Sequence, residues 1–258
     1  MIKFQAIEEI KIAYWMNDQG FQESRRDLVF IHGSGGDHTN WEYQYNAMAD
    51  DFNIVAIDLP GHGQSGGNGE QEVSRYVEWI RKLIEGIGFR KPVLVGHSLG
   101  AAISLTFAVR HGDLLSGIVP VGGGVKMPVN PMILDGLKKD VAATVAIIVK
   151  FSLTRENREK WSGPLFENLM KSNPGVTYGD LYACDRLDIT NDVPGITVPT
   201  LVVCGADDKM TPPANSRFLA ERIPGASLAL IDKAGHFVMM ENAEDFNRAL
   251  KEFVLSLK

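Results

Sequence analysis

Apolar residues along the chain gather in two alternating rhythms. Short runs rich in β-branched residues occupy positions 28–31, 54–59, 93–95, 118–121, 201–204 and 228–231. Between them, Val73, Tyr76, Val77, Ile80, Ile84 and Ile87 share one face of a helix, as do Phe246, Ala249, Leu250, Phe253, Val254 and Leu257. Strands alternating with one-faced helices predict βαβ crossovers, hence an α/β fold with a mainly parallel sheet and helices on both faces. Residues 99–109 are instead apolar almost all round, broken chiefly by Gly100, Ser104 and Thr106, which predicts a helix buried near the centre. Segments 2–7 and 10–15 flank Glu8-Glu9 and predict a hairpin, bringing the sheet to about eight strands.

Residues 125–192 break the alternation with helical patterns and no convincing strand. The expected organisation is therefore a core of residues 1–124 and 193–258 with an inserted helical cap at 125–192. Asn130-Pro131 predicts an N-cap with proline at the first helical position. Ser162-Gly163-Pro164 and Asn173-Pro174-Gly175 predict turns, leaving three or four short helices. The cap residues Met127, Met132, Leu137, Val145, Ile148, Phe151, Trp161, Phe166 and Met170 are expected to serve mostly as packing, with an acyl pocket as the alternative.

Composition narrows the classes. At roughly 150 residues per domain, 258 residues correspond to about 1.7 domains, within the range of one α/β domain. With 45% hydrophobic and 22% charged residues, disorder and fibrous structure are excluded. A net charge of -6 supplies no global positive field, so neither nucleic acid nor an anionic membrane surface is an expected partner. Cys184 and Cys204 are expected to be buried reduced thiols. The first ten residues lack the apolar block of a secretory signal, and the longest apolar candidate, 141–149, is about half of the ~20 residues that span a bilayer. A cytoplasmic protein without membrane insertion is the expectation.

The strongest chemical signal is Gly96-His97-Ser98-Leu99-Gly100, a G-x-S-x-G between an apolar strand and the buried helix. A sharp strand-to-helix turn excludes side chains beside the serine, and the helix start aims free N–H groups at the same point. A serine hydroxyl needs a base, and that base needs an anion to fix its tautomer. Of six histidines, only His236 follows a late strand, where a sheet's carboxyl edge can present it to Ser98. The acid comes from the loop at 204–212, with Asp208 preferred over Asp207 because Thr211-Pro212 resembles a helix start and leaves Asp208 mid-loop. Oxyanion donors are expected at Leu99 N–H and at Ser34 N–H, with Gly35 as the fallback, from the loop His32-Gly33-Ser34-Gly35-Gly36.

Taken together, His32-Gly33-Ser34-Gly35, Asp58-Leu59-Pro60-Gly61-His62-Gly63-Gln64-Ser65, Gly96-His97-Ser98-Leu99-Gly100, Asp208 and Gly235-His236 resemble the α/β-hydrolase fold superfamily over essentially the whole chain. The resemblance implies a Ser98–Asp208–His236 triad with Ser34 and Leu99 as the oxyanion hole, acting on a small carboxylic ester through an acyl-enzyme. Thioesterases, enol-lactonases and carbon–carbon bond hydrolases share this implication. The branches with an aspartate nucleophile do not, since position 98 is serine.

Other readings are weaker. The Gly-x-Gly-x-x-Gly at 61–66 follows a strand but opens into more loop instead of a helix, so it does not predict dinucleotide binding. No metal-ligand spacing occurs among the histidines, and neither a metal nor a cofactor is required. A small-molecule receptor on a hydrolase scaffold is the alternative of another class. Arg155 and Arg158, with Lys160, interleave with Glu156 and Glu159, the pattern of a solvated helix face, with an anionic-substrate grip as the alternative. A base that must be neutral to take a proton predicts activity falling below roughly pH 6.5.

Overall fold

Strands β1 (Ile2–Ile7) and β2 (Ile10–Met16) pair antiparallel across Glu8 and Glu9, whose φ values of 49° and 68° fit a two-residue hairpin turn. The computed structural model describes residues 1–18 and 20–257. The chain continues through β3 (Asp27–Ile31), α1 (Glu42–Met48), β4 (Asn53–Ile57), α2 (Val73–Ile87), β5 (Val93–His97), α3 (Leu99–His111) and β6 (Gly117–Val121). Helices α4 (Pro131–Lys139), α5 (Val141–Ser152), α6 (Arg158–Lys171) and α7 (Pro174–Asp185) follow, then β7 (Leu201–Gly205), α8 (Pro213–Arg222), β8 (Ser227–Ile231), α9 (Val238–Glu241) and α10 (Ala243–Ser256).

The eight strands form one sheet in the order β1-β2-β4-β3-β5-β6-β7-β8, parallel from β4 onward. Every residue of β3, β4, β5, β6 and β7 is buried. The period of two divides them between faces. Val29 and Ile31 pack with α2 and α3, whereas Leu28 and Phe30 pack with α1 and α10. Chain order reverses beside β3, with β4 on one side and β5 on the other, so a crevice opens at their carboxyl ends.

Between β6 and β7 the chain leaves the sheet. Asn130 caps α4, accepting from Met132 N–H, and Pro131 opens the helix as expected. Two expected turns are helical instead. Ser162-Gly163-Pro164 lies inside α6, where the missing Pro164 N–H is tolerated because Trp161, Leu165 and Leu169 bury their side chains on either side of it. Asn173-Pro174-Gly175 begins α7, with Asn173 Oδ1 accepting from Gly175 N–H at 2.8 Å. Among the described residues, no helix is long and apolar enough to cross a membrane.

Candidate active site

Ser98 occupies the turn between β5 and α3 with φ 53° and ψ −110°, a conformation that costs a non-glycine residue on the order of 1–3 kcal/mol. Its N–H donates to Val121 O at 2.9 Å, and its carbonyl accepts from Ala101 and Ala102 N–H. A Cβ at Gly96 would overlap the Gly100 carbonyl, and one at Gly100 would overlap that of Ile31, so both flanking glycines are sterically required. Among the described residues, neither Leu99 N–H nor Ser34 N–H has an acceptor. Gly35 N–H, the fallback donor, is already engaged: it donates to Asp180 Oδ2 at 3.0 Å, which removes it from that role.

The histidines separate by partner. His32 sits between Gly33 O on Nδ1 (2.8 Å) and Leu59 N–H on Nε2 (3.0 Å). That arrangement suits a neutral ring, and burial, with the nearby His62, pulls its pKa down to about 4. His38 Nδ1 meets Asp58 Oδ1 at 2.7 Å, and His62 Nε2 meets Asp180 Oδ2 at 2.8 Å. His111 lies 3.5 Å from Glu78. His97 donates from Nε2 to His236 O at 2.9 Å and packs on the His236 ring at 4.7 Å; burial keeps its pKa well below the ordinary histidine value.

His236 Nδ1 meets Asp208 Oδ2 at 2.8 Å, which leaves Nε2 for a second partner. The same carboxylate accepts from Thr211 Oγ1 (2.8 Å), Thr211 N–H (2.9 Å) and Met210 N–H (2.8 Å). Burial alone would raise the Asp208 pKa, but the His236 imidazole and the Thr211 donors hold it below the usual carboxylate value. Asp207 is exposed. Thr211 does not cap a helix as expected: its N–H and hydroxyl face Asp208, Pro212 is the cap residue, and α8 starts at Pro213.

Ser98, Ser34, His97 and His236 line one cavity of about 50 Å³, room for a few water molecules. Leu137, Val145, Ile148, Leu169, Leu181, Met210 and Phe237 supply most of its apolar wall, and no Lys, Arg, Asp or Glu is among the lining residues. Arg155 and Arg158 are not part of it, and Arg158 donates to Lys150 O. Of the apolar residues singled out between 125 and 192, Met127, Leu137, Val145 and Trp161 are buried, while Met132, Phe151 and Met170 are exposed.

Asp37, His38 and Asp58 bring ligand-type atoms within 4.8 Å of one another. Asp58, however, already accepts from His38 N–H, His38 Nδ1 and Gln64 N–H, so the cluster reads as a hydrogen-bonded loop anchor. Two further groups carried no sequence signal. Asp180 gathers three donors around it, and Glu241 accepts from Gly235 N–H and Thr154 N–H, tying the His236 loop to the end of α5. Both depend on partners brought together only by the fold.

The model of the "Alpha/beta hydrolase family" matches residues 28–249. The chain is similar to a pimeloyl-[acyl-carrier protein] methyl ester esterase of Vibrio cholerae, 28% identical over 93% of this chain and 97% of that protein. It is also similar to the dihydrolipoyllysine-residue acetyltransferase component of an acetoin cleaving system from Pseudomonas putida, 27% identical over 90% of this chain, and spans only 64% of that protein's length. A solved thermophilic esterase superposes with a TM-score of 0.84 at 33% identity, covering 99% of this chain and 97% of the other.

Proposed function

We propose, of a chain that belongs to the alpha/beta hydrolase family, that it is a serine hydrolase of small neutral carboxylic esters, with Ser98, His236 and Asp208 as its triad. The observation that carries this reading is the buried His236–Asp208 pair at 2.8 Å beside the cavity that Ser98 also lines. Ser98 Oγ attacks the ester carbonyl while His236 Nε2 takes its proton. Asp208 holds the imidazole in the required tautomer and stabilises the imidazolium. The tetrahedral oxyanion is held by Ser34 and Leu99 N–H, each worth ~2.7–4 kcal/mol in the transition state. His236 then returns the proton to the departing alkoxide, and water, deprotonated by the same ring, releases the acid.

Residues 125–192 act as the cap that roofs this cavity. The small apolar walls, free of Lys, Arg, Asp and Glu side chains, favour short uncharged acyl and alcohol groups over substrates bearing a second carboxylate. A panel of p-nitrophenyl esters, lactones, acyl thioesters and vinylogous diketones tests the reading on wild type and Ser98→Ala. Sustained turnover of short esters, lost in Ser98→Ala, is expected. Saturable binding without turnover would instead identify a receptor, and turnover surviving Ser98→Ala would exclude Ser98 as nucleophile.

A further inference from the structure

Helix α7 delivers a carboxylate into the sheet edge that the triad does not use. Asp180 has no solvent exposure, and three groups from separate parts of the chain converge on it. Tyr76 Oη, from α2, donates to Oδ1 at 2.5 Å. His62 Nε2 meets Oδ2 at 2.8 Å. Gly35 N–H, 145 residues away in sequence, donates to the same Oδ2 at 3.0 Å. Burial would keep the His62 ring uncharged, but the facing Asp180 carboxylate raises its pKa above the ordinary histidine value.

Gly35 directly follows Ser34 in a loop where glycine fills three of the four positions from 33 to 36. Such a segment has many conformations available and little intrinsic reason to hold one. Three hydrogen bonds restrain it: His32 Nδ1 donates to Gly33 O at 2.8 Å, Gly36 N–H closes back onto the same oxygen at 3.1 Å, and Gly35 N–H reaches Asp180. The peptide planes that follow Ser34 are thereby pinned, while Ser34 N–H has no acceptor among the described residues and Ser34 lines the cavity.

We propose that Asp180 is a positioning residue for the oxyanion loop: the helical excursion between β6 and β7 holds Gly35 N–H through this carboxylate and so aims Ser34 N–H at the reacting carbonyl. The inference rests on the serine hydrolase reading above. It gives the excursion a role in rate as well as in substrate choice. Donors set for the oxyanion matter mainly in the transition state, so misaligning one lowers kcat and leaves ground-state binding little changed.

The test measures kcat and KM for p-nitrophenyl acetate, and affinity for a trifluoromethyl ketone that mimics the tetrahedral intermediate, in wild type, Ser98→Ala, Asp180→Ala, Asp180→Asn and Tyr76→Phe. Asp180→Ala is expected to lose on the order of 10²-fold in kcat and in ketone affinity, with KM within about threefold of wild type. Asp180→Asn retains an acceptor for Gly35 and is expected to recover most of that loss. Tyr76→Phe leaves the Gly35 bond but loosens the carboxylate, and is expected to weaken ketone binding several-fold at unchanged KM; it carries the test should Asp180→Ala not fold. An Asp180→Ala protein with kcat and ketone affinity within threefold of wild type would overturn the proposal, as would Asp180→Asn failing as badly as Ala, or Tyr76→Phe leaving ketone affinity untouched. Turnover persisting in Ser98→Ala would instead overturn the underlying hydrolase reading, whatever Asp180 does.

Discussion

The parallel sheet and the four-helix excursion are both rich in aliphatic side chains, but they use them differently. In β3, β4, β5, β6 and β7 every position is buried, because helices cover the sheet on both faces. Along α5, by contrast, Val145 and Val149 are buried, Ile148 is a cavity wall, and Ile147 and Phe151 are 45% and 49% exposed. A strand in the sheet answers to two packed faces, whereas a helix of the excursion answers to three environments: the core below, the cavity and solvent. On the proposed reading, substrate choice can therefore change in the excursion at positions where folding is little affected, while the carboxyl edge of the sheet holds the chemistry.

The largest expected contrast is at that edge. Ser98→Ala is predicted to lower ester turnover by roughly 10⁴-fold or more with the thermal midpoint barely moved, checked by steady-state kinetics and calorimetry on the same sample. Phe107, fully buried in α3, gives the opposite profile. Phe107→Ala is predicted to cost ~3–5 kcal/mol in urea unfolding, with kcat near wild type in the protein that remains folded.

Proton linkage separates the two kinds of histidine. His32 binds a proton only near pH 4 when folded, against roughly 6.5 when unfolded, so the unfolded chain holds more protons in that window and stability falls as pH drops through it. His38 and His62 act in the reverse sense. Burial opposes their charge, but Asp58 and Asp180 raise both pKa values, so their contribution is complete below roughly pH 6.5 and is lost as pH climbs through the raised values. Urea midpoints are predicted to peak near neutrality, and a steady rise from pH 5 to 9 would contradict these assignments.

Within the excursion the effects shrink. Ile148→Ala opens the cavity wall and is predicted to raise the butyrate-to-acetate ratio of kcat/KM by on the order of 10-fold. Met132, 76% exposed in the same region, is predicted to change stability by less than ~0.5 kcal/mol on replacement with alanine.

The same contrast governs what could be read before folding. The strands, α2, α3 and α10 follow local apolar periodicity, and the Ser98 turn follows from glycines whose Cβ atoms would strike backbone. The order of His236 after Asp208 also reflects nothing more than which loops lie at the sheet's carboxyl edge. Pro164 and Asn173-Pro174-Gly175 misled because local breaker chemistry was overridden by burial of Trp161, Leu165 and Leu169, or served to start a helix. Asp180 was illegible in the sequence for a deeper reason. Its partners Gly35, His62 and Tyr76 lie 145, 118 and 104 residues away, and no spacing rule reaches that far.

The most direct measurement is the mass of the covalent adduct formed with a fluorophosphonate, mapped to a peptide. The account predicts one phosphonyl group on Ser98, absent from Ser98→Ala and formed far more slowly in His236→Ala. An adduct on another residue, or labelling of Ser98→Ala at the wild-type rate, would contradict it.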